Sequence, residues 1–263
     1  MRSFHHSEFP EVRGSVCIPT VNEAATIGRI VEAIVGEVDQ VVVVDGSTDD
    51  TARIAAAAGA EVYAQSELLP QMGPVLGKGD AMWRALTVLT GDVVCFVDGD
   101  SEDFGPHFVR GLLGPLADPS IQYVKGFYRR PFRGEPEGGG RVTELTAKPL
   151  LRLFYPELAA FHQPLAGEIA ARRSLLERLP WTTGYGVEIG QLIDVYRAVG
   201  IDAMAQVDLD TRVNAHQPLS ALGSMATAVA GAVAEQLRRE GRLDAEPSAA
   251  VERPPLASLR AAA

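Results

Sequence analysis

The sequence predicts an α/β fold built on a doubly wound, mostly parallel sheet, and three observations predict it. Apolar runs of strand length alternate with stretches of helical spacing from Val16 to Phe127. Short runs that are apolar throughout suit strands covered by helices on both faces. Several of these runs stop at polar clusters, namely Pro19-Thr20-Val21-Asn22-Glu23, Asp45-Gly46-Ser47-Thr48-Asp49-Asp50 and Asp98-Gly99-Asp100. In open α/β sheets, ligands gather at the carboxyl ends of strands. The length, 263 residues, suits one such domain with an appended region.

The elements follow in order. Val16–Pro19 reads as a strand, Thr20–Thr26 as a loop and Ile27–Val35 as a helix. The β-branched run Val38–Val44 is a second strand. Ser47 is placed to cap the next helix, Thr51–Ala58, which Gly59 stops. Glu61–Tyr63 is a short strand, and Ser66–Gly77, with two prolines and two glycines, is a loop. Asp80–Leu89 is a helix, Val93–Val97 a buried strand and Tyr123–Phe127 another strand. Pro131–Gly140 holds two prolines and four glycines, and a loop of that length suggests function. A strand at Ile201–Leu209 and a helix at Pro218–Arg239 follow. The Ala-, Pro- and Glu-rich tail from Leu243 is expected to be disordered.

Bulk composition excludes several classes. A formal net charge of −10 disfavours a nucleic-acid binder, which needs a basic surface to displace phosphate counterions. Cys17 and Cys95 lie in buried runs, so they read as small hydrophobes in a reducing compartment, the cytoplasm. No apolar run approaches the ~18 residues of a membrane span.

The sharpest chemical feature is Asp98-Gly99-Asp100. Residues two apart in a strand point to the same side, and the glycine leaves room for a ligand near the backbone. Two such carboxylates suit one hard divalent cation, Mg²⁺ or Mn²⁺. Asp45 is placed to accept from a base or a ribose. Gly77-Lys78-Gly79-Asp80, ahead of a helix, resembles an anion cradle. Between Lys125 and Lys148, six cationic side chains face three glutamates in a chain of opposite overall sign. That basic segment contains Gly138-Gly139-Gly140-Arg141-Val142-Thr143, whose amides, arginine fork and hydroxyl suit a phosphate or carboxylate. Glu188 follows the turn Gly184-Tyr185-Gly186-Val187, and Asn214 and His216 follow the strand that ends at Leu209.

With these residues the chain resembles the nucleotide-sugar glycosyltransferases of GT-A fold. It is more closely similar to the actinobacterial glucosyl-3-phosphoglycerate synthases over about Val16 to Met225. The specific stretches are Tyr123-Val124-Lys125-Gly126-Phe127-Tyr128-Arg129-Arg130-Pro131, Gly138 to Leu145, and Gly184 to Gly190. The resemblance implies a Rossmann-like GT-A sheet with a C-terminal acceptor-binding region. It divides the chain into an N-terminal extension (1–13), a nucleotide-sugar half (14–130), an acceptor-binding and helical half (131–240) and the tail (241–263). It implies UDP-glucose as donor, 3-phosphoglycerate as acceptor, Mg²⁺ or Mn²⁺, retention of anomeric configuration and a homodimer. GDP-mannose, GDP-glucose or ADP-glucose as donor, or glycerate as acceptor, are the alternatives within the fold. A nucleotidyltransferase and a non-catalytic nucleotide-sugar sensor are the rivals outside it.

By the same resemblance Pro19, Thr20, Val21, Glu23, Asp45, Lys78, Asp98, Gly99, Leu165 and Glu188 serve the nucleotide sugar. Gly140, Arg141, Thr143 and Asn214 serve the acceptor, and Asp98 and Asp100 the metal. Glu188, Asp100 and Arg141 carry catalysis. The family's third metal ligand falls in Asn214-Ala215-His216-Gln217-Pro218-Leu219, where an ungapped match selects Asn214 and the residue type selects His216. The turn after Asp45 is one residue shorter than in close family members.

Overall fold

The computed structural model describes residues 1–9, 13–132, 134–135, 138–214, 217–243 and 252–260. Its strands are β1 (Arg2–His5), β2 (Ser15–Thr20), β3 (Gln40–Asp45), β4 (Glu61–Ala64), β5 (Val93–Phe96), β6 (Tyr123–Arg129), β7 (Ile169–Arg172), β8 (Trp181–Thr182), β9 (Met204–Thr211) and β10 (Glu252–Arg253). Its helices are α1 (Ile27–Ile34), α2 (Thr51–Ala57), α3 (Lys78–Ala85), α4 (Pro106–Leu113), α5 (Lys148–Phe154), α6 (Arg173–Leu176), α7 (Val187–Val199), α8 (Leu219–Arg239) and α9 (Leu256–Arg260).

Eight strands form one sheet in the order β1-β9-β6-β7-β5-β2-β3-β4. All neighbours are parallel except β7, which runs antiparallel to both β5 and β6. The alternation along each strand explains the layers. Val16, Ile18, Val41 and Val43 pack with Ile27, Val31, Phe108 and Leu112 of α1 and α4 on one face. Cys17, Val42 and Val44 pack with Met82, Leu151, Ile189 and Val229 of α3, α5, α7 and α8 on the other. A period of two sends successive side chains to opposite faces, so each apolar strand feeds two cores. Both cysteines are free and buried, as their apolar context predicts. Among the described residues no helix is long and apolar enough to cross a membrane.

Three local expectations are corrected. Ser47 does not cap α2; its hydroxyl donates to Asp45 Oδ1 (2.6 Å), while the Asp49 carboxylate accepts from the Thr51 amide (3.0 Å). The polar N-terminal segment supplies an edge strand, β1, parallel to β9. The tail is ordered over 252–260, where β10 pairs antiparallel with β8 and Leu256 enters the core. The Arg253 guanidinium explains this: it donates to the buried Asp80 carboxylate (2.7 and 2.8 Å) and lies over the Trp83 ring. A paired charge of that kind gives a low-complexity segment one preferred docking position.

Candidate active site

The carboxyl ends of β2 and β5, the start of α3, the end of β6 and the turn into α7 surround one cavity of about 720 Å³. Asp98 and Asp100 follow β5. Both turn to the same side, as their spacing predicts, and the Arg212 guanidinium reaches both. The glycine between them lines the cavity and also serves the fold. A Cβ on Gly99 would lie 2.9 Å from Thr20 Cγ2, so the glycine lets β2 and the post-β5 turn close together.

Lys78, at the first position of α3, extends across the cavity. Its ammonium donates to Asp98 Oδ1 (2.5 Å) and Glu188 Oε1 (2.8 Å). Burial would lower the Lys78 pKa, but the two carboxylates outweigh it and hold the amine protonated well above its usual range. Burial would likewise raise Asp98, yet Lys78 and Arg212 hold its carboxyl well below the usual range. Glu23 has no such cation in hydrogen-bond contact. Burial first, then the Asp100 and Asp98 charges, push it up to about 7. Lys125 is buried against the Ala166 carbonyl (2.9 Å), and burial pushes it down to about 8.

Behind the Asp pair lies a buried network absent from the sequence reading. Arg212 Nη1 meets Glu168 Oε1 (3.0 Å) and donates to the Tyr128 hydroxyl (2.9 Å), and Nε donates to Ser101 Oγ (2.9 Å). The Tyr128 hydroxyl donates to Glu168 Oε2 (2.6 Å). Burial raises Glu168, and Arg212 opposes that rise. Arg212 thus pairs with three carboxylates at once and fixes where Asp98 and Asp100 point.

On the acceptor side, Gly140, Arg141, Thr143 and Asn214 all line the cavity, as does Leu165 of the nucleotide-sugar set. Gly140 adopts a positive φ of 72°, and the chain enters helical turns directly after it. Arg141 donates to the Gln217 carbonyl (2.7 Å) and lies over the Phe132 ring. Arg130 donates from Nη2 to Asn214 Oδ1 (3.0 Å), while its buried Nε has no hydrogen-bond partner. A buried guanidinium nitrogen without a partner is costly unless a ligand satisfies it.

Most of the residues selected from the sequence therefore meet in one place: Pro19, Thr20, Val21, Glu23, Lys78, Asp98, Gly99, Asp100 and Glu188 line the same cavity as the acceptor-side group. Asp45 does not. It is buried beneath the cavity, where Thr20 and Ser47 hydroxyls donate to its Oδ1 (2.6 Å each), and Gln65 occupies the cavity wall beside it. His216 lies outside the described residues. Asn214 Nδ2 donates to Asp100 Oδ2 (3.1 Å), so the Asn214 position does adjoin the Asp pair. Sequence reasoning missed Gln65, Glu168 and Arg212 as site residues. Arg212 had a signal, a charge just past an apolar strand, whereas Gln65 and Glu168 had none.

The donor set fits a hard divalent cation. Asp98, Asp100 and the nearby Glu23 present only carboxylate oxygens, and burial followed by the charges of Asp100 and Asp98 raises Glu23.

The comparisons agree with this geometry. The sequence profile of glycosyl transferase family 2 matches residues 15–177. The glucosyl-3-phosphoglycerate synthase of Petrotoga mobilis is 44% identical over 268 residues, covering 92% of this chain and 82% of that protein. The crystal structure of mannosyl-3-phosphoglycerate synthase from Rubrobacter xylanophilus superposes with a TM-score of 0.91 at 44% identity, covering 98% of this chain and 96% of the other. That of glucosyl-3-phosphoglycerate synthase from Mycobacterium tuberculosis, in complex with Mn²⁺, UDP-glucose and phosphoglyceric acid, superposes with a TM-score of 0.85 at 43% identity over 95% and 92% of the two chains. With the family profile over most of its sheet and a relative this similar along most of its length, the chain belongs to glycosyl transferase family 2 and, within it, to the glucosyl-3-phosphoglycerate synthases.

Proposed function

We propose that this protein transfers glucose from UDP-glucose to D-3-phosphoglycerate with retention of the anomeric configuration, using Mg²⁺ or Mn²⁺. The observation that carries the reading is the single cavity whose one wall is carboxylate-rich and whose other wall holds Arg130 and Arg141. A nucleotide diphosphate needs the first wall with a cation, and a phosphorylated acid needs the second. The relatives act on or bind such ligands, including UDP-glucose with phosphoglyceric acid and Mn²⁺.

Asp100 and Asp98 would hold the cation, which neutralises charge on a departing diphosphate. The protein's own groups do the rest. Lys78 brings a fixed positive charge between the nucleotide side and Glu188. Such preorganised charge stabilises a leaving group without reorganisation during reaction. Glu188 orients the sugar from the first turn of α7. Its Oε1 is already bound by Lys78, and this pairing disfavours it as a covalent nucleophile. The acceptor hydroxyl then attacks from the face the diphosphate leaves, and a diphosphate oxygen takes its proton. Arg141, Gly140 and Thr143, with Arg130, hold the acceptor's anionic groups.

The testing experiment follows UDP release with UDP-glucose, 3-phosphoglycerate and Mg²⁺, with no-acceptor and EDTA controls. Release that requires acceptor and stops with EDTA is the expected result; no release with this pair would overturn the substrate assignment. The Rubrobacter neighbour is a mannosyl-3-phosphoglycerate synthase, which favours GDP-mannose as the second donor. A parallel assay that follows GDP release from GDP-mannose ranks the two donors by kcat/KM. Arg141→Ala should raise the acceptor KM by about 10-fold or more, the loss of a charge-assisted hydrogen bond. A change confined to the donor KM would remove Arg141 from the acceptor site.

A further inference from the structure

Away from the cavity, the N-terminal strand brings a second set of ligand-type side chains together. His5 ends β1, and His6 follows it. Asp210, on β9, faces both: His6 Nε2 lies 2.7 Å from Asp210 Oδ2, and His5 Nε2 lies 3.4 Å from Asp210 Oδ1. The two imidazole rings stand 4.3 Å apart. One nitrogen from each histidine and one carboxylate oxygen all fall within 4.8 Å of one another.

We infer that His5, His6 and Asp210 form a second metal site, distinct from the Asp98–Asp100 pair, that takes a borderline transition-metal ion such as Zn²⁺. Donor chemistry separates the two sites. Carboxylate oxygens alone suit Mg²⁺ and Mn²⁺, whereas two imidazoles and a carboxylate suit Zn²⁺. A tetrahedral Zn²⁺ with bonds near 2.0–2.1 Å needs ligand atoms about 3.3 Å apart. The His6–Asp210 and His5–Asp210 separations, 2.7 and 3.4 Å and one to each carboxylate oxygen, lie on either side of that spacing, and all three ligand atoms fall within 4.8 Å of one another.

The surroundings support ligation. Asp210 takes the left-handed backbone conformation (φ 67°), uncommon for a residue other than glycine, and its amide is tied to Asp208 Oδ1 (2.9 Å). Its carboxylate is therefore held against the histidines rather than swinging in solvent. The Ser7 hydroxyl lies 2.7 Å from His5 Nδ1. That nitrogen also accepts from the Ser7 amide (3.3 Å), so the His5 ring is anchored through Nδ1 with Nε2 turned toward Asp210. The open fourth position falls to water. A third imidazole, His107, stands 4.8 Å from the His6 ring. An ion here would join β1 to β9 near Arg212, so its binding should stabilise the fold.

The test uses the full chain without an affinity tag, saturated with Mg²⁺ to fill the oxygen site. Zn²⁺ is titrated calorimetrically at neutral pH, and Co²⁺ binding is followed by its visible absorption. Saturation at about one ion per chain is expected, with a rise in Tm. His6→Gln and Asp210→Asn should each weaken binding by about 10- to 100-fold or more and abolish that rise, and Asp100→Asn should leave it intact. These readouts do not depend on which sugar is transferred, so failure of the substrate assignment leaves the site standing. No uptake by the folded wild-type chain, or uptake that survives both His6→Gln and Asp210→Asn, would overturn the inference.

Discussion

Asp100→Ala is expected to cut kcat by about 10²–10³-fold while leaving the fold intact, the loss that follows removal of one preorganised charge-stabilising group. Asp100 lines the cavity and is partly exposed, and its carboxylate is bound by Arg212 and Asn214. Its removal takes away a proposed oxygen ligand of the cation and leaves Arg212 paired with Asp98 and Glu168. Tm and far-UV circular dichroism should therefore match the wild type, and Mn²⁺ titration should show weakened binding. Undiminished turnover would sever the Asp pair from the reaction. A large loss of Tm would show instead that Asp100 is structural.

The largest effect on stability is expected at Arg212. Its side chain is 3% exposed and faces Glu168, at 1%. Arg212→Met keeps an apolar stem but leaves Glu168 buried with only the Tyr128 hydroxyl for a partner. Breaking a buried pair from one side costs about 3–5 kcal/mol. For a chain of this size that is a Tm lower by roughly 6–20 °C. Burial raises the Glu168 pKa in the folded state, and loss of the cation raises it further. A raised carboxyl favours the fold below its unfolded pKa and loses that benefit as pH rises through the folded value. The deficit of the variant should therefore be larger at neutral pH than in mild acid. Adding Glu168→Gln to Arg212→Met should recover part of the Tm, because it removes the stranded charge. A single variant as stable as the wild type, or a double variant no better than the single, would show that the network does not hold the site.

How much was legible depended on sequence distance. The Asp98–Asp100 pair could be read because both its spacing and the apolar run before it are local. The Lys78 and Arg141 segments could be read for the same reason, through glycines and charge within a few residues. Arg212 and Glu168 could not be paired that way, because β7 runs antiparallel between β5 and β6 and only this insertion brings Glu168 against β9. Asp45 looked like a ligand group because it ends a strand, but hydroxyls from Thr20 and Ser47 satisfy it and leave the wall to Gln65.

The ends of the chain show the same division. Neither β1, which is mostly exposed, nor β10, which is two residues long, carries a hydrophobic period to read. Their places come from partners far away in sequence, β9 for the first and Asp80 for the second. By itself the sequence determined the α/β class, the two-faced core strands and the polar clusters at their ends, because each rests on side-chain periodicity over a few residues. Tertiary structure alone decided which charges neutralise which, and hence how the carboxylates of the cavity are aimed. Burial makes an unpaired charge costly, and its partner is chosen by proximity in space rather than by position along the chain.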